Sequence, residues 1–392
     1  MKIRPPEAKP SPENPFEGAL FGRQEFADSL TRLLTSAEDN LVIFVNAPWG
    51  EGKTTFAKMW QASLQDKKKD VIYFDAYAVD HFDDPFIAFS GEIIEFVKNY
   101  LPDGKDNPER TALMKAAVEV LKYLVVFGLK IGIRAATASV LKSTDIIKAK
   151  DVIDEIAKGT SEIGEKMLAE RIENYGAEKE TLTKFRESLK NLAKKVKEEK
   201  GFPLVIIVDE LDRCRPDFAL QLLERIKHLF NVEGLAFVLL VNREQIEHYI
   251  TSVYGNGDAK GYLLKLGNLF VDLPSARDPE GLNGGAGHKQ FCFMLSRHYG
   301  LQEKFTNFEK FDSRIVEMLA IQQKMTLREL ERVYCILRVY VASSGLKNIF
   351  SYESWLLVVL AMLKVKRPQV YARIQNEQIS ADELCREIGM DQ

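Results

Sequence analysis

Two short runs in this chain hold residue types that can do chemistry. The first is Ala47-Pro48-Trp49-Gly50-Glu51-Gly52-Lys53-Thr54-Thr55. Glycines at this spacing let the backbone turn its N–H groups inward around a chain of phosphates. Lys53 and Thr54 open a run suited to a helix, so the positive end of the helix dipole faces the same anion. Lys53 then reaches the β- and γ-phosphates, and the Thr54 hydroxyl ligates Mg²⁺. The second run is Asp209-Glu210, two acids directly after the apolar stretch Leu204-Val-Ile-Ile-Val208. Downstream of a phosphate loop, Asp209 reads as a metal-holding carboxylate, and Glu210 as the carboxylate that polarises an attacking water. Each run also has a plainer reading: a glycine-rich turn without a ligand, and a strand that ends in an acidic turn. Their occurrence in this order in one chain argues against both.

Positioning such groups takes strands that end at one edge of a sheet. Leu41-Val-Ile-Phe-Val45 is too short and too β-branched for a helix and reads as a buried strand feeding the loop. Phe56 to Leu64 continues as a helix. Ala47 stands where the usual loop pattern has glycine, and its small side chain is tolerable there. Val71 to Asp75, Leu204 to Val208, Leu235 to Val241 and Leu269 to Leu273 supply further strands. Phe86 to Tyr100 reads as a helix with Phe89, Ile93, Phe96 and Val97 on one side. Ahead of the first strand, Phe26, Leu30, Leu33 and Leu34 recur at helical spacing. Leu20, Phe21 and Arg23 lie just before that helix and are candidates for the base side of a nucleotide, with ordinary packing as the alternative.

The remaining segments carry less chemistry. Thr111 to Leu141 is strongly apolar, but Lys130 and Arg134 fall inside any membrane-length window, at about 2.5–3.5 kcal/mol each near a helix centre. It reads as a helix buried in the core or against a partner, or else as one at a membrane surface or inserted in it. Lys142 to Gly201 is charged and helical, with a seam through Leu182, Phe185, Leu189, Leu192 and Val196 that packs on the core or pairs as a coiled coil. Pro279 to His288 is expected to be a glycine-rich linker. Helices are expected over 289–299, 313–322, 326–341, 352–363 and 381–388. Residues 1–15 are a proline-rich lead-in without the apolar core of a signal peptide.

The chain has 392 residues, 46% apolar and 28% charged, with a formal net charge of −3. That balance does not indicate nucleic acid as a partner. Four cysteines far apart, without a Cys-x-x-Cys pair, suit a reducing cytosol and offer no thiolate metal site.

The run Asp209-Glu-Leu-Asp-Arg-Cys214, with Pro216 soon after and a helical stretch reaching Phe230, resembles the KAP family of P-loop NTPases. The phosphate loop, the Phe74-Asp-Ala-Tyr77 to Asp84-Pro85 region and Gly261 to Pro274 share the resemblance, which spans roughly residues 16 to 340. It implies an α/β fold of the additional-strand class, a mostly parallel sheet in the order 5-1-4-3-2, with a helical insertion and a C-terminal helical domain. The P-loop domain would then comprise 16–100 and 201–278, the insertion 101–200 and the C-terminal domain 288–392. Family members often carry transmembrane helices in the insertion. The implied cofactors are ATP and Mg²⁺. Asn242-Arg243-Glu244 follows the strand beside the metal-binding one and lacks a guanine signature, which leans the base towards adenine. Asn242 is a candidate γ-phosphate sensor, Arg328 a second sensor, and Thr326 the N-cap of its helix. Arg213, Arg215, Arg243 and Arg277 are candidate arginine fingers.

The expectation is an ATPase of low basal rate, a conformational switch or motor acting in the cytoplasm as a homo-oligomer or with a partner protein. Peripheral attachment to the cytoplasmic membrane is the alternative location. The resemblance suggests prokaryotic membrane-associated or phage-exclusion roles. The competing classes are a nucleotide-gated assembly scaffold with little turnover and a small-molecule kinase, the latter disfavoured by an acid pair suited to water activation.

Overall fold

The computed structural model describes residues 3–100, 175–275, 284–301, 312–344 and 351–388, apart from 7–9, 12, 38, 83–84, 228, 230 and 256. The apolar 111–141 stretch, Asp84 and Arg277 lie outside the described residues. The chain divides into two compact units. One comprises Ser29–Asn46 and Gln61–Val271, the other Met1–Asp28, Ala47–Trp60 and Asp272–Gln392.

The first of these is built on a five-stranded sheet. Its strands are β1 (Leu41–Asn46), β2 (Val71–Asp75), β3 (Leu204–Asp209), β4 (Leu235–Val241) and β5 (Leu269–Asp272), ordered β2-β3-β4-β1-β5. Read from the other edge, this is the 5-1-4-3-2 order that the resemblance implied. β2 pairs with β3, β3 with β4 and β4 with β1, each in parallel. Parallel strands need helical crossovers, and those helices cover the sheet faces, so the inner strands become apolar on both sides. β3 and β4 obey this, since every one of their residues is buried.

The side chains alternate. Val42, Phe44, Ile72, Phe74, Ile206, Val208, Phe237 and Leu239 share one core. That core also takes in residues of α3 (Pro85–Tyr100), α4 (Tyr175–Lys200), α5 (Pro216–Lys227) and α6 (Arg243–Tyr254). Phe89 of α3 meets Phe74 edge-on at 5.6 Å and stacks on Phe237 at 6.3 Å between ring centroids. The helix α4 settles one of the open readings. Phe185, Leu189, Leu192 and Val196 are all buried in this core, so the seam packs inward and does not pair as a coiled coil. A short helix, α7 (Ala259–Leu264), is N-capped by Asp258, whose side chain accepts from the Gly261 N–H, and precedes β5.

In the other unit α1 (Arg23–Ser36) and α2 (Lys53–Asp66) begin, and six further helices follow. They are α8 (Gly284–His298), α9 (Asp312–Gln322), α10 (Leu327–Ser343), α11 (Ser351–Lys366), α12 (Pro368–Gln375) and α13 (Ala381–Ile388). Cys292, Leu295, Leu319, Leu330, Tyr334, Leu337, Val358 and Met362 belong to their common core. The expected linker over 279–288 needs correcting, because Gly284 to His288 form the first turn of α8. Glycine disfavours a helix by about 1 kcal/mol per residue, but burial of His288 edge-on to Phe21 at 6.1 Å overrides that local preference. The helix α12, with Pro368 at its first position, was not expected.

Among the described residues no helix is long and apolar enough to cross a membrane.

Candidate functional site

The phosphate loop follows β1 by one peptide bond and runs into α2 at Lys53. Gly50 and Gly52 have φ of +84° and +79°, a region L side chains enter only with strain. Lys53 Nζ donates to Ala47 O at 2.7 Å and to Pro48 O at 3.3 Å, so the ammonium is held against the loop it would share with a phosphate. Trp49 stands at the exposed tip of the loop.

Three other elements of the same unit fix this loop. Arg23, at the start of α1, donates from Nη2 to Glu51 O at 2.8 Å. The Glu51 side chain is fully buried and accepts from Ser275 Oγ at 2.9 Å. The Arg328 N–H of α10 donates to Gly50 O at 3.2 Å. That helix starts in a capping box, in which Thr326 Oγ1 accepts from Glu329 N and Glu329 Oε2 accepts from Thr326 N. Thr326 is therefore the N-cap the sequence suggested. Arg328 approaches the loop through its backbone and Cβ.

Arg23 is only 6% exposed, and burial lowers its pKa to about 10 against the opposing pull of Glu51. Its Nη1 is buried without a hydrogen-bond partner among the described residues. The same side chain lines a cavity of about 220 Å³ with Leu20, Phe21, Gly22 and Gln290. The three residues proposed for the base side thus share a cavity next to a phosphate-loop contact.

In the sheet unit, parallel register sets the carboxyl ends of β1, β4, β3 and β2 along one edge. Ligands of open parallel sheets bind outside such an edge. Asp209 closes β3 and is fully buried. Its Oδ1 accepts from Glu210 N at 2.8 Å, and its Oδ2 accepts from the Tyr73 hydroxyl at 2.9 Å. Tyr73 lies on β2, whose Asp75 is in register with Asp209. Burial, followed by the charge of Asp209, pushes the phenol up and keeps it a donor.

Glu210 is left-handed, with φ 61° and ψ 17°, at a cost of about 1–2 kcal/mol for an L residue. Its carboxylate pairs with the Arg213 guanidinium. Its carbonyl accepts from Arg213 N at 3.1 Å and from Cys214 Sγ at 3.6 Å. Burial pushes the Cys214 thiol up, so it remains a weak donor and not a nucleophile. Asp212, buried in the same 3₁₀ turn, holds Tyr249 through its carbonyl at 2.9 Å.

The other sequence candidates are distributed as follows. Asn242 is the N-cap residue of α6 at the tip of β4 and makes no side-chain capping bond. Arg243 donates through its N–H to Asn46 Oδ1 at 3.0 Å, pairs with Glu247 at 2.7 Å and lies over the Phe270 ring. Arg215 clamps the loop after β2 by donating to Asp80 O and Phe82 O. Three arginine-finger candidates are therefore engaged inside the sheet unit.

Sequence reasoning missed Tyr73 as a partner of Asp209 and Arg23 as a clamp on Glu51. The signal for Tyr73 was available, because a hydroxyl inside an otherwise apolar strand needs an acceptor. Arg23 offered no comparable signal.

The metal donors expected from the sequence are a hydroxyl, Thr54, in one unit, and a carboxylate, Asp209, in the sheet unit. Both are hard oxygens of the kind Mg²⁺ takes. Among the described residues no group of three or more His, Cys, Asp or Glu is arranged as a metal cage. A donor set this small fits an ion that arrives largely hydrated with a polyphosphate.

A family model described as the KAP family P-loop domain matches residues 23–343. No curated protein matches the chain. Among solved structures, the Aeropyrum pernix ORC2 protein in its ADPNP–ADP complexes is 14% identical, covering 98% of this chain and 80% of that one at a TM-score of 0.39. C. elegans PCH-2 is 10% identical, with coverages of 87% and 68% and a TM-score of 0.37. A Thermotoga maritima RuvB variant is 10% identical, with coverages of 94% and 82% and a TM-score of 0.34. At such scores the weight of assignment rests on the family match and on the strand order.

Proposed function

Because this chain belongs to the KAP family of P-loop domains, we propose that it binds Mg–ATP and hydrolyses it slowly, as a conformational switch or motor. The observation that carries the reading is the loop itself. Two positive-φ glycines and Lys53 lead from a parallel strand straight into α2, the arrangement that presents backbone N–H groups and a helix dipole to a phosphate chain. In this reading Ala47 to Thr55 hold the phosphates, Lys53 offsets their charge, and Thr54 and Asp209 ligate the metal. Bound Mg²⁺ supplies charge neutralisation at the phosphate oxygens. Glu210 orients and polarises the attacking water, and Asn242 senses the γ-phosphate. The base enters the cavity beside Leu20, Phe21 and Arg23, where the buried Arg23 Nη1 would donate to a purine ring nitrogen.

A switch needs an output. The bond from Arg328 N to Gly50 O supports the C-terminal helices as that output, since any shift of the loop is felt at the start of α10. Phage exclusion is the setting the family resemblance suggests. The local engagement of Arg213, Arg215 and Arg243 supports a second copy or a partner as the source of an arginine at the γ-phosphate.

Nucleotide affinity and phosphate release test the reading. Lys53→Ala should abolish ATP binding. Glu210→Gln should keep binding and lose about 10²–10⁴-fold in turnover. A wild-type protein that neither binds Mg–ATP nor releases phosphate at any protein concentration would end it.

A further inference from the structure

Glu210 is a buried carboxylate held by several contacts from its own turn. Its N–H donates to Asp209 Oδ1, and its carbonyl accepts from the Arg213 N–H and the Cys214 thiol. The residue stays left-handed in spite of the strain on a side chain there. The Arg213 guanidinium then pairs with the carboxylate from three residues further along the same 3₁₀ turn. The turn itself brings the two residues together, because the Arg213 N–H donates to the Glu210 carbonyl at 3.1 Å. The Glu210 side chain is 10% exposed and that of Arg213 34%, so solvent only partly screens the pair.

We propose that Arg213 is a positioning residue that acts through Glu210: it fixes the direction of the water-polarising carboxylate and makes no contact of its own with the transferred phosphate. The inference rests on the ATPase reading above. A guanidinium is a planar fork and sets the plane of a carboxylate, whereas a lysine ammonium supplies only the charge. A base that is pre-aligned does not have to be ordered at the moment of reaction, and misalignment by about 1 Å costs up to about 10²-fold. The strained backbone of Glu210 serves the same end, because it aims the side chain from the tip of β3 and the arginine then locks it. Arg213 had stood among the candidate fingers, and its pairing inside its own turn assigns it the other task.

The test measures kcat, KM and ATP affinity for the full chain and for Arg213→Ala, Arg213→Lys, Glu210→Gln and the Glu210→Gln/Arg213→Ala pair. Expected for Arg213→Ala is a kcat lower by about 10–100-fold with ATP affinity unchanged within about twofold. Arg213→Lys should recover part of the loss. Amide exchange of residues 210–214 should quicken in Arg213→Ala, a readout independent of turnover. In the Glu210→Gln background the arginine change should add no further loss, since the group it acts through is gone. An unchanged or raised kcat in Arg213→Ala overturns the proposal, and so does a multiplicative loss in the double variant, which would mean direct contact with the phosphate. Should Arg213→Ala fail to fold, Arg213→Lys and Arg213→Gln decide the matter by the same criteria. If wild type releases no phosphate, the ATPase reading itself has failed. If wild type hydrolyses ATP and Glu210→Gln does not, only the role of Arg213 is at stake.

Discussion

Alanine at Gly50 measures how tightly the phosphate loop is tied to the C-terminal helices. The φ of +84° alone costs an L residue about 1–2 kcal/mol. A Cβ there would lie 2.8 Å from Arg328 Cβ, 3.2 Å from Thr326 Oγ1 and 3.4 Å from Thr326 Cβ. Carbon atoms pack best at about 3.5–4.0 Å, and overpacking of this kind costs about 1–3 kcal/mol. Gly50→Ala should therefore cost about 2–5 kcal/mol. Gly52 is an internal control. Its φ is +79°, but an added Cβ meets only Leu327 Cδ1 at 3.9 Å, an ordinary contact. Gly52→Ala should cost the backbone strain of about 1–2 kcal/mol and no more. The assay is denaturant unfolding without nucleotide, with amide exchange over α10 to localise the loss, because two units need not unfold together. Arg328→Gly removes the Cβ on the other side, so a double-mutant cycle with Gly50→Ala should return the packing part and leave the strain. Equal losses for the two alanine variants, or a cycle without coupling, would refute the claim that the loop is packed against the start of α10.

Three further expectations follow from the same contacts. Tyr73→Phe removes the hydroxyl from a buried carboxylate oxygen and should cost about 1.5–3 kcal/mol in urea unfolding; a loss below about 0.5 would remove Tyr73 from the support of Asp209. Arg23→Met trades the desolvation of a buried cation against its bond to Glu51 O. It also removes the cation that faces the buried Glu51 carboxylate, so stability should fall by about 3–5 kcal/mol while ATP binds roughly tenfold more weakly to the folded protein, and unchanged affinity would show that the clamp does not shape the loop. Arg373, by hydrogen bond and charge, holds the exposed Glu383 carboxyl below its usual value across α12 and α13. A carboxyl depressed in the folded state stabilises it above the unfolded pKa, and the contribution is lost as pH falls through the folded pKa. Amide exchange over Ala381–Ile388, corrected for intrinsic rate, should quicken between about pH 6 and pH 3, and the Glu383→Gln variant should not show the change.

The backbone of the candidate site was legible in the sequence because local rules fix it. Leu41 to Asn46, Leu204 to Asp209 and Leu235 to Val241 are runs that only inner parallel strands tolerate, and the structure buries β3 and β4 completely. Glycine spacing announced the positive-φ loop, and Thr326 announced a helix N-cap, since both signals are confined to a few residues; the Glu329 half of the capping box came from the structure. The same local reasoning failed over 284–288. Three glycines within five residues argue for a linker, and burial along the rest of the helix, of His288 against Phe21 more than 250 positions away and of Phe291, Cys292 and Leu295 in the core, carries the turn.

Long side chains were the illegible part. Arginine reaches far enough to serve a phosphate, a carboxylate or a carbonyl, and its type and position do not say which. Arg23 is a candidate base contact through Nη1 and is bonded through Nη2 to the carbonyl of Glu51. Arg213 and Arg243 looked like fingers and are paired with Glu210 and Glu247, one turn further along their own elements or back. Those pairings are themselves short-range, at i,i+3 and i,i+4, and such acid–arginine spacings are where a local partner competes with a distant ligand. Arg215 lies 3.9 Å from Asp217, but its hydrogen bonds go to Asp80 and Phe82, 135 and 133 positions earlier. A carboxylate three or four positions away captured Arg213 and Arg243, while Arg215, with Asp212 three positions before it, shows that spacing alone does not decide.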